Sequence, residues 1–570
     1  MILLDFNEVA YTRPDPDAVI ATAKAGAADM AQATSPEAAL AVAKRMTAYF
    51  NDVDSAAIIA NTRHTIDTRD AFYKQESDFW DNFEPQLDSA TTDYLKAVLA
   101  SPYQEALSEI YPKPFMLQAK NQLRTESPDV IGLKQQANAL SSEYTNLIAS
   151  AQIDFQGQTY TLAQLGPFRD DKNRAVRKAA NEAYWGFFAQ HEATFDRIYD
   201  DMVKTRTEIA HKLGFADYSA MSYAFMNRFD YDEAMVSTYR HEVLTKVVPL
   251  VQKQRAKQAA RLGLDHLAYY DLGVQFTTGN PKPTGTSAEL VATAQQMYHD
   301  MSPEAGEFFD KMVTDHLLDL LAKPGKASGG YCEFIPSLQA PFIFSNFNGT
   351  SDDVDVLTHE AGHAFQTYLA RWIQPSGLQF PTFEAAEIFS MSMEFIAYPW
   401  MPKFFGDQTD KRLYSHLQSA LEFLPYGILV DHFQHEVYTH PDWTPAQRKA
   451  CWRELEQQYC PDKDYSENPD LARGIYWMRQ GHIFESPFYY IDYTIAQVIA
   501  YQFWKRFNVD HDETAWTDYV TMAKAGGSKT LLELIKLGHL RSPFEPGALD
   551  STLTAISEAL DAVDDQAIDR

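Results

Sequence analysis

Apolar residues recur every third or fourth position through most of this 570-residue chain, the spacing of helices with one buried face. Residues 1–150 read as helices with polar faces and short turns. Ser35–Tyr49 is one, with Ser35 as N-cap and Pro36 at the first helical position. The acidic, aromatic run Asp70–Leu87 is another. Residues 151–171 break the period: Ile153-Asp154-Phe155 and Thr159-Tyr160-Thr161 alternate around Gln156-Gly157 and predict a small hairpin. The domain boundary is placed there, between an N-terminal helical domain (1–170) and a larger domain (171–570). The helical period returns from Asn173 to Arg261, with a stop at Gly214, and again in two helices within 262–327. Residues 328–350 are rich in Gly, Pro and aromatics. Extended runs at Tyr331–Ile335 and Pro341–Phe347 predict a small β element. The fold class is therefore mostly α with a small sheet.

Within this background the stretch Val354–Ile373 carries chemistry. Its His359-Glu360-Ala361-Gly362-His363 is an HExxH motif. Read as one helix, capped by Ser351, it places His359 and His363 one turn apart on the same face, where two imidazoles can reach one metal ion. Glu360 projects beside them, able to address a water there. Leu357, Ala361, Ala364, Phe365 and Tyr368 form the opposite, core-facing stripe. Asp355, Gln366, Thr367 and Ala370 share the histidine side, which suits the floor of a wet cleft.

A metal held by two histidines needs a third ligand. The segment Gln379–Trp400 predicts a helix starting at Pro381-Thr382 and stopping at Pro399. Glu384, Glu387 and Glu394 share one face of it. Three carboxylates on one face of an otherwise apolar segment suggest a buried functional face. Two histidines and one carboxylate would leave a fourth position open for water. Glu387, central among the three, is the ligand candidate; Glu384 and Glu394 are candidates for supporting it or the histidines.

Further on, Ser486-Pro487 predicts another helix start, after a loop containing Gly481-His482. Tyr489, Tyr490 and Tyr493 follow at helical spacing. Phenol and imidazole donors so clustered could stabilise an oxyanion. The predicted strand beside Gly330 and Tyr331 could hydrogen-bond an extended peptide backbone along its edge. Cys332 has no evident base partner and reads as packing. His191, His211 and His241 have no partners at metal spacing, and Gly325-Lys326 lacks the residues of a phosphate loop.

Composition narrows the partners. A formal net charge of −29 argues against a general nucleic-acid surface. Three cysteines fit a reducing compartment rather than a disulfide framework. Neither a signal peptide nor a membrane span is evident, so the expected location is the cytoplasm. Oligomeric state is not legible.

The motifs HEAGHAFQTY, EAAEIFSMSME and RQGHIFESPFYYIDYTIAQV, in that order and spacing, resemble the thimet oligopeptidase/oligoendopeptidase F family of zinc metallopeptidases, nearest to its bacterial Pz-peptidase type. The likeness is densest from about Gly329 to Trp504. It implies one Zn²⁺ per chain held by His359, His363 and Glu387, with Glu360 as general base. Glu387 matches the family ligand in an E-x-x-S pattern completed by Ser390, and Glu394 matches the acidic residue seven further on. The family's oxyanion donors map to His482, Tyr490 and Tyr493, with Tyr489 the rival for one tyrosine. The implied fold is a helical bowl with a deep channel and a small sheet near the zinc. The implied substrates are short unstructured peptides, cut internally. A silent peptide-binding protein and a zinc exopeptidase are the alternatives; intact Glu360 speaks against the first, and no terminus-anchoring group stands out for the second.

Overall fold

Helix accounts for 68% of the chain and strand for 4%, as the apolar spacing predicts. The computed structural model describes residues 5–569. The Ser35 hydroxyl accepts from the Ala38 amide at 3.2 Å and starts a helix that runs from Pro36 to Ile66. A second long helix, Ala71–Ala100, is capped by the Asp70 carboxylate. The predicted hairpin is present as β1 (Ile153–Phe155) and β2 (Gln158–Tyr160). Both turn residues have positive φ, 49° at Gln156 and 79° at Gly157, which matches the right-handed twist of a two-residue hairpin.

A three-stranded sheet lies before the HExxH motif. It contains β3 (Leu318–Leu321), β4 (Tyr331–Ile335) and β5 (Ala340–Phe347), in the order β3-β5-β4. β4 pairs antiparallel with β5, with Cys332 opposite Ile343. β3 pairs parallel with β5 and was not expected: four residues of leucine and aspartate after a helix show no period of their own. β4 is an edge strand. The helix Pro36–Ile66 braces it, with the Thr65 and Tyr331 hydroxyls 2.7 Å apart and the Ser337 amide donating to Ser55 Oγ at 2.9 Å.

The single helix expected over 354–373 is interrupted. A short helix spans Asp352–Val356, and α1 begins at His359 and ends at Leu369. Between them the Thr358 hydroxyl bonds back to the carbonyls of Val354 and Asp355. Ser351 caps nothing. Asp353 instead turns back to accept from the Asn348 and Gly349 amides at 2.8 Å each. The core-facing stripe is buried as predicted, but Gln366, Thr367 and Ala370 are buried as well. Gln366 Nε2 donates to the Gln379 carbonyl at 2.8 Å, which removes that part of the helix from the cleft. Only the first turn and a half of α1 is wet.

α2 (Phe383–Ile396) packs across α1. Gly362 permits the approach: a Cβ there would sit 2.8 Å from Ser390 Cα and 2.9 Å from the Phe389 carbonyl. α3 (Thr409–Thr439) and α4 (Tyr490–Asn508) complete the surroundings. The start of α4 lies later than Ser486-Pro487, and His482 sits in a short helix, Gly481–Glu485, rather than a loop. The interruption is Phe488, whose φ of 67° no helix accommodates. Its amide donates to Gln434 Oε1 at 3.0 Å, and its carbonyl accepts from Arg228 at 2.6 Å. All three cysteines are free, and no helix among the described residues is long and apolar enough to cross a membrane.

Candidate metal and catalytic centre

Because α1 starts at His359, both motif histidines and Glu360 lie in its first five residues, where the helix meets β4 and α2. His359, His363 and Glu387 offer ligand atoms that all lie within 4.8 Å of one another. The nearer separations are tighter: Glu387 Oε2 is 3.4 Å from His359 Nε2 and 3.5 Å from His363 Nε2. Two ligands bound tetrahedrally at about 2.0–2.1 Å stand about 3.3–3.4 Å apart, so the donor set fits a Zn²⁺ ion. Burial pushes the Glu387 carboxyl upward, but the imidazoles of His363 and His359 outweigh it and hold it far below the usual range. The carboxylate is thus ionised, the form a metal requires. Ser390 Oγ steadies Oε2 at 3.0 Å, and Tyr489 donates to Oε1 at 3.2 Å.

The other two glutamates of α2 have separate roles. Glu394 Oε1 lies 2.6 Å from His359 Nδ1, and its Oε2 lies 2.6 Å from Nε2 of His416 on α3. The Tyr398 hydroxyl lies 2.8 Å from His416 Nδ1, so a chain of bonds runs from Tyr398 through His416 and Glu394 to His359. Burial raises the Glu394 carboxyl, but the hydrogen bonds from His359 and His416 prevail and hold it at about 2. A bonded Nδ1–H leaves Nε2 of His359 free as the ligand atom. The histidine–carboxylate–histidine chain implies that Glu394→Gln weakens metal affinity about 10- to 100-fold, measured by chelator competition. His416 has no sequence signal: it lies 22 residues beyond Glu394 on another helix.

Glu384 takes no part in the ligand cluster. It is buried, and its carboxyl is pushed up by burial and by Asp492. Asp492 is itself fully buried and pairs with the equally buried Arg228 at 2.9 Å. Arg228, like His416, carries no sequence signal. Nothing in its sequence surroundings sets it apart from the other arginines of that helical region.

A cavity of about 520 Å³ opens over the centre, lined by His359, Glu360, His363, Glu387 and the β4 edge from Gly330 to Glu333. Glu360 faces that edge: Oε1 lies 3.9 Å from where a Cβ on Gly330 would stand. Cys332 shares the cavity, but burial and the nearby Glu360 charge raise its thiol well above the usual value, so it is no thiolate nucleophile. Tyr489 and Tyr493 line the cavity, and burial pushes the Tyr493 phenol up to about 12, so it stays a donor. Tyr490 turns toward Phe423 and Tyr426, with ring centroids 5.5 Å and 5.9 Å away. The His482 ring lies 4.8 Å from that of Tyr490, tilted by 57°. Burial lowers the His482 pKa, which favours the neutral ring. Gln480 Nε2 donates to His482 Nδ1 at 2.9 Å while its Oε1 accepts from Tyr426 at 2.8 Å, leaving the His482 proton on Nε2.

A helical shell around an HExxH helix, with a glutamate from the next helix, defines a metallopeptidase. Residues 168–552 match peptidase family M3 and residues 6–126 match the peptidase M3 N-terminal domain; the chain belongs to that family and is a metallo-oligopeptidase. It is similar to the solved structure of Pz peptidase A with an inhibitor, at 47% identity and a TM-score of 0.91 over 99% of this chain and all of that one. It is 22% identical to oligopeptidase PepF of Bacillus subtilis (strain 168) over 541 residues, 89% of this chain and 78% of that protein. Oligoendopeptidase-F from Enterococcus faecium shares the fold, with 16% identity and a TM-score of 0.66 over 97% of each chain.

Proposed function

We propose that the protein is a zinc-dependent oligoendopeptidase of the cytoplasm that cuts internal bonds of short, unstructured peptides. The observation that carries this is the convergence of His359 Nε2, His363 Nε2 and Glu387 Oε2 in one cavity that also holds Glu360 and an open strand edge. Zinc, when bound, supplies Lewis acidity that lowers the pKa of water and polarises a carbonyl oxygen. The protein does the rest. An extended peptide lies along β4 beside Gly330 and Tyr331, its backbone bonding to the strand edge. Glu360, facing that edge, accepts the proton of the attacking water and delivers it to the leaving amine. Tyr493, which reaches the cavity, donates to the oxyanion; Tyr489 reaches it too but donates to Glu387, and His482 and Tyr490 pack beside Tyr493 as neutral donors. A cavity of about 520 Å³ admits a few extended residues and excludes folded domains.

The test is mass spectrometry of a mixed peptide pool incubated with zinc-loaded protein, with and without a chelator. Internal cleavage of short peptides that stops on chelation and returns with added Zn²⁺ is expected. Residues released only from one end would favour the exopeptidase alternative, and retention of intact peptides without cleavage would favour the silent binder.

A further inference from the structure

Three fully buried aspartates each face an arginine: Asp271 faces Arg177 at 2.6 Å, Asp431 faces Arg240 at 2.8 Å and Asp492 faces Arg228 at 2.9 Å. Glu333 of β4 has no such partner. It is half-buried, lines the metal cavity, and forms no ion pair with a lysine, arginine or histidine among the described residues. Lys529, the single lysine or arginine on the cavity wall, is exposed and does not pair with it. Burial pushes the Glu333 carboxyl up to about 7, against a smaller opposing effect of the Phe334 amide. A carboxylate held there without a counter-charge is costly until a ligand brings one.

Successive side chains of a strand point to opposite faces. Gly330 faces Glu360, and Cys332 feels the Glu360 charge, so both lie on the metal side of β4. Tyr331 points the other way, its hydroxyl 2.7 Å from that of Thr65 on the helix Pro36–Ile66. Glu333, two residues on, shares the Tyr331 face. Arg63 of the same helix is turned away, to the Phe6 and Val9 carbonyls and the Tyr73 hydroxyl. A peptide added along the free edge of β4 projects every second side chain onto the Glu333 face. Cross-strand neighbours on one face stand about 4.5–5.5 Å apart between Cβ atoms, within reach of a long side chain. Gly330, beside Glu360, marks where the reacting bond lies. Three residues at about 3.3 Å each place Glu333 about 10 Å further along the strand.

We propose that Glu333 is a specificity-determining residue that receives the ammonium or guanidinium group of a substrate lysine or arginine, about two to four residues from the scissile bond. The assignment rests on the peptidase reading above. The strand face selects a side chain rather than the α-amino group, because side chains project from the face of an added strand while the chain end lies in its line. Arrival of the cation converts an uncompensated carboxylate into a charge-assisted hydrogen bond. An acidic side chain at the same position meets a like charge and is disfavoured. The net charge of −29 adds to this by drawing cationic peptides toward the protein.

The experiment uses N-acetylated, C-amidated peptides of one sequence in which lysine, norleucine or glutamate occupies each position in turn on either side of the cleaved bond. Mass spectrometry locates the bond, and kcat/KM is read for zinc-loaded wild type, Glu333→Gln and Glu333→Lys. Binding to the zinc-loaded Glu360→Gln protein, with and without Glu333→Gln, is read in parallel by calorimetry. Wild type should favour lysine over norleucine about 10-fold at one position, about two to four residues from the bond, the size of one charge-assisted hydrogen bond, and should handle glutamate worst. Glu333→Gln should bring the lysine-to-norleucine ratio to about 1, and Glu333→Lys should invert the order of lysine and glutamate. Equal handling of lysine and norleucine at every position by wild type would overturn the assignment, whatever the folding of the variants. A lysine preference that survives Glu333→Gln, or one confined to the two residues flanking the bond, would overturn it as well. If a free α-amino group on the norleucine peptide gains as much as lysine and loses it with Glu333→Gln, the side-chain assignment falls. If no peptide is cut but binding favours lysine and Glu333→Gln removes the preference, the peptidase reading falls and the cation subsite stands.

Discussion

Glu360→Gln should lower kcat by about 10²- to 10⁴-fold while the protein keeps its metal. Glutamine has the shape of glutamate and still hydrogen-bonds, but it takes up no proton at neutral pH. The substitution therefore removes proton transfer and little else. Glu360 is not among the three residues whose ligand atoms converge, so metal content should be unchanged when measured by atomic absorption. Its carboxylate faces Gly330 on the β4 edge, where the peptide backbone is expected, so the loss should fall on kcat rather than KM. Retention of most of the activity with a full complement of zinc would remove Glu360 as the base. Loss of zinc along with activity would show that the carboxylate supports the site rather than the chemistry.

Arg228→Met should destabilise the fold by about 3–5 kcal/mol, a large share of the stability of a typical domain. The Arg228 and Asp492 side chains are both fully buried and 2.9 Å apart. Arg228 also holds the Phe488 carbonyl at 2.6 Å, at the strained residue that precedes α4. Methionine fills similar space but leaves Asp492 without its counter-charge, next to a buried Glu384. Both carboxyls are already pushed up by burial, Glu384 further by Asp492, and Arg228 opposes the rise. A carboxyl whose folded-state pKa lies above its unfolded value stabilises the fold when protonated. That stability is lost as pH rises above about 4. Removing Arg228 raises both groups further, so the deficit should grow between pH 6 and pH 8. Chemical denaturation at the two pH values measures it. A shift under 1 kcal/mol, or a deficit that shrinks as pH rises, would contradict the role given to Arg228.

Much of the local design was legible without tertiary information. The HExxH spacing works because a helix returns to the same face after four residues, and α1 obeys it wherever its first turn begins. Ser35-Pro36 and Gln156-Gly157 act through backbone preferences set by a few neighbouring residues, so their helix start and hairpin follow from the chain alone. The order of the three motifs carried the family likeness, and the mostly helical class followed from the apolar period.

What depended on the third dimension involved atoms distant in sequence. The late start of α4 depends on Gln434 and Arg228 holding Phe488 from opposite sides. The three glutamates of α2 look equivalent along one helix face. They diverge because α1 meets Glu387, His416 of α3 meets Glu394, and Asp492 of α4 meets Glu384. Likewise the periodicity of Tyr489, Tyr490 and Tyr493 places them near one another, but only packing sends Tyr489 and Tyr493 into the metal cavity and Tyr490 against Phe423 and Tyr426. Helical geometry is a short-range property that the sequence determines by itself. Charge pairing and the choice of which side chains enter the metal cavity are contacts between separate elements, and the tertiary structure decides them.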